Sequence, residues 1–211
     1  MNAGIKAFVT LLFVPTVAMA QGFLDEFSYE GIRFTGIGFG VGGTISNRLE
    51  TAITGAGRAD LGMIAPKIRV MVGLSYFQAD FKEDEIAKFE DNLRDLVDDP
   101  TGDFEIDIGT VTWADLEAAL DLQYVAPISD GIAGFAGVGL GLHLRNGWGD
   151  AIDGTFVEDA LDGIDASLDL SLGGHIRLVS SLYFTLDVRG GLSTDLLTAA
   201  GLAGFQYRIP R

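Results

Sequence analysis

A strict alternation of polar and apolar residues runs from Asp103 to Tyr124 and constrains the fold more than any other feature of the sequence. One parity carries mostly polar and small side chains: Asp103, Glu105, Asp107, Gly109, Val111, Trp113, Asp115, Glu117, Ala119, Asp121 and Gln123. The other parity is mostly apolar: Phe104, Ile106, Ile108, Thr110, Thr112, Ala114, Leu116, Ala118, Leu120, Leu122 and Tyr124. Since successive side chains of a strand point to opposite faces, the pattern predicts one long strand with a polar and an apolar face. Such a strand exceeds the ~9–11 residues that a tilted membrane strand needs.

The same alternation recurs in seven further segments. Five segments alternate clearly, at 67–76, 131–146, 164–178, 182–190 and 202–209. Two alternate more weakly, at 28–42 and 49–64. Beyond residue 20, no apolar run reaches the roughly 18–20 residues of a transmembrane helix. The sequence therefore predicts an all-β chain of eight antiparallel strands.

The connections between these strands are of two lengths. Residues 127–130 and 179–181 form tight turns, whereas 82–102, 147–163 and 191–200 are long and mostly polar. Short turns on one side and long loops on the other are typical of up-and-down membrane barrels, whose short turns face the periplasm. Residues 83–98 have apolar residues at helical spacing, which predicts a short helix that packs over the barrel mouth, with a position on the membrane surface as the alternative.

The first twenty residues differ from the rest of the chain. Lys6 is their only charge, Ala7–Val14 is apolar, and Ala18-Met19-Ala20 precedes Gln21. This predicts a secretory signal peptide over 1–20 and a barrel over 21–211.

The formal net charge of −16 argues against nucleic acid as a partner, and the absence of cysteine excludes disulfides and thiolate chemistry.

Alternation alone does not say which face meets lipid, because a soluble calycin-like barrel also alternates with its apolar residues inside. Here the polar parity is rich in glycine, serine, alanine and charges of both signs, which suits a narrow lumen. The apolar parity carries aromatic residues near segment ends, as expected of membrane-interface aromatics: Tyr76, Tyr124, Phe205 and Tyr207. We therefore expect lipid outside, with a soluble periplasmic lipid-binding barrel as the alternative.

The leader-like N-terminus, the eight alternating segments and the C-terminal segment Gly204–Ile209 together resemble the small bacterial outer-membrane β-barrels of the OmpA, OmpX and OmpW type. The resemblance implies an eight-stranded transmembrane barrel in the outer membrane with a structural or narrow-pore role and no cofactor. It also implies a monomer whose partners are outer-membrane lipid, lipopolysaccharide and the barrel-assembly machinery. Family members usually end on the aromatic residue, whereas this chain adds Pro210 and Arg211.

If the polar parity lines a lumen, charges of both signs meet there and must pair. The expected network comprises Arg33, Glu50, Lys67, Arg69, Asp115, Glu117, Asp121, Asp169, Arg177, Asp187, Arg189 and Arg208. We expect these ion pairs to fill the lumen, with a gate for small ions as the alternative.

Two histidines suggest a further alternative. His143 and His175 share the lumenal parity on separate segments, and outer-membrane lipid-modifying enzymes of this size use a His with a Ser or Asp. No distinctive motif surrounds them, so no catalytic residue is assigned and the chain is expected not to be an enzyme. The acidic cluster at 98–107 lacks the spacing of a calcium loop, so no metal site is predicted.

Overall fold

A computed structural model describes residues 28–96 and 107–210 of the chain. The eight strands are β1 (Ile32–Ser46), β2 (Ala52–Ala65), β3 (Ile68–Asp80), β4 (Thr112–Ser129), β5 (Ile132–Trp148), β6 (Gly163–Arg177), β7 (Leu182–Ser193) and β8 (Leu197–Arg208). Each strand pairs antiparallel with its neighbour in sequence, and β1 pairs with β8 to close the barrel. The predicted eight-stranded up-and-down barrel is confirmed. Closure matters in hydrocarbon because an open sheet edge would leave backbone groups without hydrogen-bond partners.

The barrel carries its connections at two ends. The turn end holds residues 28–31 and 209–210 and the short links 66–67, 130–131 and 178–181. The loop end holds the remaining links, which include helix α1 (Glu83–Leu96) and helix α2 (Phe156–Leu161). The predicted helix over 83–98 is therefore confirmed to Leu96, and its last two residues lie outside the described part of the chain. Neither described helix is long and apolar enough to cross a membrane.

The apolar face of the sheet points outwards. Leu140, Leu172 and Val188 are 60–66% exposed, whereas Asp121 and Asp169 on the opposite parity are at most 2% exposed. A soluble calycin-like barrel requires the reverse arrangement. Exposed leucine and valine around buried carboxylates suit a barrel with lipid outside and a polar interior.

The strand predicted from Asp103 to Tyr124 is wrong at its start. β4 begins at Thr112, residues 107–111 form a loop, and 103–106 lie outside the described residues. Gly109 has a φ of +61°, which breaks the extended conformation. Ile108 and Val111, which the alternation placed on opposite faces, are both buried in one apolar cluster above the barrel. The alternation over residues 107–111 therefore belongs to a packed loop.

The N-terminal strands also begin later than predicted. Residues 29–31 form a 3₁₀ turn before β1, and β2 begins at Ala52 rather than at Leu49. Leu49, the first residue of the predicted segment 49–64, is 1% exposed and lies in the β1–β2 link, where it forms a bridge with Phe81. Its side chain packs over the end of the lumen and not against lipid.

The long loop predicted at 191–200 is wrong as well. β7 continues to Ser193 and β8 begins at Leu197, which leaves a link of three residues. Leu192 and Leu197 are 58% and 54% exposed, so both continue the apolar outer face. The polar run Ser193-Thr194-Asp195 marks only the turn between the two strands.

The direction of the apolar face can be tested by placing a charge on it. Leu140 lies near the middle of β5, between Leu120 and Leu168 of the neighbouring strands. We expect Leu140→Arg to destabilise the protein by about 2–4 kcal/mol, because a charge at the bilayer midplane is poorly solvated. Urea unfolding in phospholipid vesicles, followed by tryptophan fluorescence, measures the change.

The matched control is Val179→Arg, at an exposed position in the β6–β7 turn. An arginine there reaches the interface, so we expect a cost of about 0–1 kcal/mol. Equal effects of the two substitutions would contradict the assignment of the outer face to lipid.

Candidate functional site

The interior of the barrel is a column of charged and polar side chains on the inward parity of the strands. Glycines on β5 leave room for the larger side chains of its neighbours. A β-carbon at Gly137 would lie 2.8 Å from Gln123 Cγ and from Ser171 Oγ, closer than such atoms approach in proteins. The glycine-rich polar parity is therefore what allows long charged side chains to fit in an eight-stranded lumen.

The middle of the column is held by two arginines, one from β7 and one from β2. Arg189 of β7 pairs with Asp121 of β4, and its Nη1 lies 3.4 Å from Glu117 Oε1. Arg58 of β2 pairs with Asp187 of β7 across the lumen. Asp121, Glu117 and Asp187 are each at most 8% exposed, so the ion pairs are buried. Ser75 Oγ donates to Glu117 Oε2 at 2.7 Å and completes the middle layer.

A second group lies nearer the loop end around Arg145 of β5. Its Nε donates to Asp115 Oδ2 at 2.8 Å, and its Nη1 donates to Asp165 Oδ2 at 3.0 Å. Its Nη2 donates to Ser193 Oγ at 2.8 Å, and the guanidinium lies over the ring of Trp113 at 5.1 Å. Arg145 thus ties β5 to three other strands beneath the apolar residues that cover the loop end.

Those apolar residues form what we term the loop-end cap, which consists of two touching clusters. The lower cluster fills the end of the lumen and contains Leu49, Ala52, Phe77, Ala79, Trp113 and Leu196. The upper cluster contains Ile108, Val111, Ile152 and Val157, and the α1 residues Ile86, Phe89 and Leu93 pack against it. Phe81 packs against both clusters and stacks on Trp113 with a centroid distance of 5.2 Å.

The turn end contains a third polar group around Asp60 of β2. Its carboxylate accepts from Thr35 Oγ1 at 2.7 Å, from the Gly62 amide at 2.9 Å and from Gln206 Nε2 at 3.1 Å. Arg69 of β3 donates from Nη2 to Gln123 Oε1 at 2.5 Å. Between these residues and the outside lies a cavity of about 550 Å³.

The predicted network is partly assembled by the fold. Seven of its members are buried in the lumen: Arg69, Asp115, Glu117, Asp121, Asp169, Asp187 and Arg189. Arg208 is half-buried at the turn end, where it donates to His175.

Four members do not belong to this network. Arg33 and Arg177 have strand positions but are exposed at the turn end. Glu50 lies in the β1–β2 link and Lys67 in the β2–β3 turn, where its Nζ sits over the Tyr124 ring at 5.9 Å. Within residues 28–96 and 107–210, none of the four forms a salt bridge. Parity places a residue on a face but does not place it at a height inside the barrel.

Several network residues were missing from the predicted set, among them Arg58, Asp60, Arg145 and the two histidines. All lie on the polar parity of a predicted strand, so the same rule identifies their face.

The predicted interface aromatics are all about half exposed on the outer face: Tyr76, Tyr124, Phe205 and Tyr207. Tyr124, Phe205 and Tyr207 lie towards the turn end, and Tyr76 lies towards the loop end of β3. A role at the membrane interface stays a prediction for them.

Asp115, His143 and Ser167 are connected in the order of a hydrolase triad. His143 Nδ1 donates to Asp115 Oδ1 at 2.7 Å, and His143 Nε2 lies 3.0 Å from Ser167 Oγ. In such a triad the carboxylate orients the imidazole, which removes the serine proton. The sequence showed the histidine but not its two partners, which come from β4 and β6.

The surroundings of this triad differ from those of an active site. Ser167 Oγ is also hydrogen-bonded to Asp169 Oδ1 at 2.9 Å, and Asp115 is shared with Arg145. Ser167 is 5% exposed and faces the lumen, where the adjoining cavity is about 40 Å³. Backbone amides near Ser167 belong to the ladders of β6 with β5 and β7, which leaves none to form an oxyanion hole. Acyl chains of membrane lipids lie on the other side of the sheet.

The described fold is shared with known barrels. The chain is similar to Neisserial surface protein A, with a TM-score of 0.52 and 9% identity over 83% of this chain and 96% of that one. It is also similar to the N-terminal β-barrel domain of OprF from Pseudomonas aeruginosa, with a TM-score of 0.50 and 10% identity over 83% of this chain and 98% of that one. The chain therefore has the fold of the small eight-stranded outer-membrane β-barrels.

This result confirms the resemblance on which the sequence analysis relied. At such low identity the similarity extends to the fold alone, since lumen side chains differ freely between barrels. No family model matches the sequence, and no curated protein is detectably similar to it. The role must therefore be argued from the residues of this lumen.

The energetic weight of the middle ion pairs can be measured with Arg189→Met. The substitution leaves Asp121 and Glu117 buried without their guanidinium, so we expect a loss of about 3–5 kcal/mol in the free energy of unfolding. Urea unfolding in vesicles measures the loss. The double variant Arg189→Met, Asp121→Asn is expected to lose less, because one unpaired carboxylate becomes a neutral amide.

The control is Arg94→Met on the exposed face of α1, where Arg94 pairs with Asp91 at 2.6 Å. An exposed pair contributes at most about 1 kcal/mol. If Arg189→Met costs no more than Arg94→Met, the lumen pairs do not stabilise the barrel.

Proposed function

We propose that the chain is a structural barrel of the outer membrane whose lumen is closed. The observation that carries the proposal is the continuous filling of the lumen by buried ion pairs below and the loop-end cap above. Two cavities of the lumen, both lined in part by Arg58, are about 40 Å³ each, which is room for only a few water molecules. Cavities of this size leave little room for a hydrated ion, which supports a closed lumen.

Two independent barriers support a closed state over a gated pore. Arg58 and Arg189 bridge the lumen between facing strands, and both are engaged by carboxylates. Trp113 and Leu196 close the loop end with apolar surface, which disfavours water and ions. Opening would require separation of the buried ion pairs and displacement of the cap together.

The outer surface supports the expected partners. Its apolar side chains suit the acyl chains of outer-membrane lipid, and its loop end suits the lipopolysaccharide leaflet. The C-terminal strand β8 carries Phe205 and Tyr207 on this surface, as a signal to the barrel-assembly machinery requires. Because β1 and β8 pair with each other, the barrel closes within one chain, which supports a monomer.

Planar-bilayer recordings test the closed lumen. We expect the full chain, refolded and inserted from detergent, to give no discrete current steps in concentrated potassium chloride. The variant Arg189→Ala, Trp113→Ala removes one side chain from each barrier and is expected to conduct. Heat-modifiable gel migration confirms that each sample is folded. Discrete steps from the unmodified chain would instead support the narrow-pore alternative.

The triad geometry of Asp115, His143 and Ser167 favours acyl hydrolysis as a second candidate function, but its burial leads us to propose a structural role. We expect Ser167→Ala to leave the acyl composition of lipid A and phospholipids unchanged. Mass spectrometry of lipids from cells that express either form measures this. Deacylated products that appear with the unmodified chain and vanish with Ser167→Ala would establish an enzyme.

A further inference from the structure

The cavity at the turn end has an unusual balance of charge. It holds about 550 Å³, and its charged lining residues are Arg33, Asp60, Arg69 and Arg208. Three guanidinium groups thus face one carboxylate in a chain whose formal net charge is −16. We refer to this cavity as the turn-end vestibule.

The single carboxylate does not neutralise the arginines by direct hydrogen bonds. Asp60 accepts from Thr35, Gly62 and Gln206, all of which are neutral donors. Its Oδ2 lies 3.7 Å from Arg69 Nη1, which is too long for a hydrogen bond. The carboxylate is therefore fixed by neutral groups, and the nearest guanidinium keeps open donor positions.

Arg69 is the group that makes the vestibule a built site. It is 3% exposed, and only its Nη2 has a partner, Gln123. Its Nε and Nη1 are buried and have no hydrogen-bond partner in the described part of the protein. Buried donors of a charged group are costly to leave unpaired, so an arginine with two of them is poised to bind an acceptor.

Arg208 adds a second positive charge without a carboxylate partner among residues 28–96 and 107–210. Its Nη2 donates to His175 Nε2 at 3.1 Å, and its guanidinium lies over the Tyr183 ring at 4.2 Å. An arginine can only donate, so the imidazole nitrogen accepts and the ring is neutral in this contact. The histidine and the tyrosine thus position Arg208 but leave its charge uncompensated.

We propose that the turn-end vestibule binds a phosphate group. A phosphate monoester carries about −1.5 to −2 charges at pH 7, which matches the excess of positive over negative groups better than a monocarboxylate does. Guanidinium groups bind its oxygens with paired hydrogen bonds. The vestibule is larger than a bare phosphate ion and includes Phe34, Met63, Val125 and Ile209, so an organic portion of the ligand has apolar surface to contact.

Short turns of such barrels face the periplasm, which leaves two sources for this group. One is a soluble phosphate monoester of the periplasm, and the other is the monoester headgroup of phosphatidic acid in the inner leaflet. Both share the phosphate chemistry that the arginines would recognise. The inference does not depend on whether the lumen conducts.

Isothermal titration calorimetry on the full chain tests the site. The protein is refolded in an uncharged maltoside detergent without phosphate buffer, and inorganic phosphate and acetate are titrated separately. We expect phosphate to bind and acetate to bind at least several-fold more weakly. Equal binding of the two anions, or no phosphate binding by the folded chain, would overturn the proposal.

Substitutions locate the site. Arg69→Met is expected to weaken phosphate binding roughly tenfold, because it removes charge-assisted hydrogen bonds. Arg33→Gln changes an exposed residue and keeps the proposal testable if Arg69→Met does not fold. We expect this variant to lose about threefold in phosphate affinity, because an exposed charge is screened. The control is Arg177→Gln, an exposed arginine at the same end that does not line the vestibule. If Arg177→Gln weakens binding as much as Arg33→Gln, the vestibule is not the site.

A third titrant separates the two sources. A short-chain phosphatidic acid, kept below its micelle concentration, presents the same phosphate with acyl tails attached. Affinity about tenfold above that of inorganic phosphate, lost with Arg69→Met or Arg33→Gln, would identify the lipid headgroup as the ligand. Equal affinity would identify a soluble phosphate compound.

Discussion

The pairing of β1 with β8 is the contact on which the rest of the structure depends. It joins the ends of the sheet from Gly36 and Arg208 to Ser46 and Thr198, so that no strand presents an open edge to lipid. Closure also divides the side chains into two populations by parity alone. Everything on one parity must tolerate hydrocarbon, and everything on the other must fit within a lumen that eight strands make narrow.

The narrow lumen in turn dictates how the charges are arranged. Glycine makes room for some of the long polar side chains, as Gly137 does for Gln123. Because little water can enter, charges of opposite sign pair directly, as Arg189 does with Asp121. The turn-end vestibule is a large polar space in which arginines rather than carboxylates predominate. The lumen is thus not uniform along its length, although its residues share one parity.

The sequence was sufficient for the architecture because alternation is a local property. Eight alternating segments predicted eight strands, and glycine with charges of both signs on one parity predicted a polar interior. Alternation failed where packing replaced the sheet. Ile108 and Val111 alternate with polar neighbours, yet both enter the same cluster because Gly109 turns the chain between them. The prediction that a strand begins at Leu49 was wrong for a similar reason, since a loop residue can cover the lumen without belonging to a strand.

The site was harder to predict because partners depend on height and on strand neighbours. Arg33 and Arg177 lie on the polar parity, as lumen residues do, but they are exposed at the turn end of the barrel. Arg145 and Asp115 meet only because β4 and β5 pair in one register, which the sequence does not state. The link between His143 and Ser167 requires the register of β6 as well. The face on which a residue lies can therefore be predicted from its own strand, whereas its side-chain partners depend on the register of all the strands.

The loop-end cap has a consequence for the order of assembly. Leu49 comes from the β1–β2 link, Phe81 from the β3–β4 link, Ile152 from the β5–β6 link and Leu196 from the β7–β8 link. All four hairpins must therefore have crossed the membrane before the cap can pack completely. A chain halted with its last hairpin outside would lack Leu196 and leave the cap unfinished. Completion of this small apolar core on the far side of the bilayer thus coincides with insertion of the final strand, and would hold the inserted state in place.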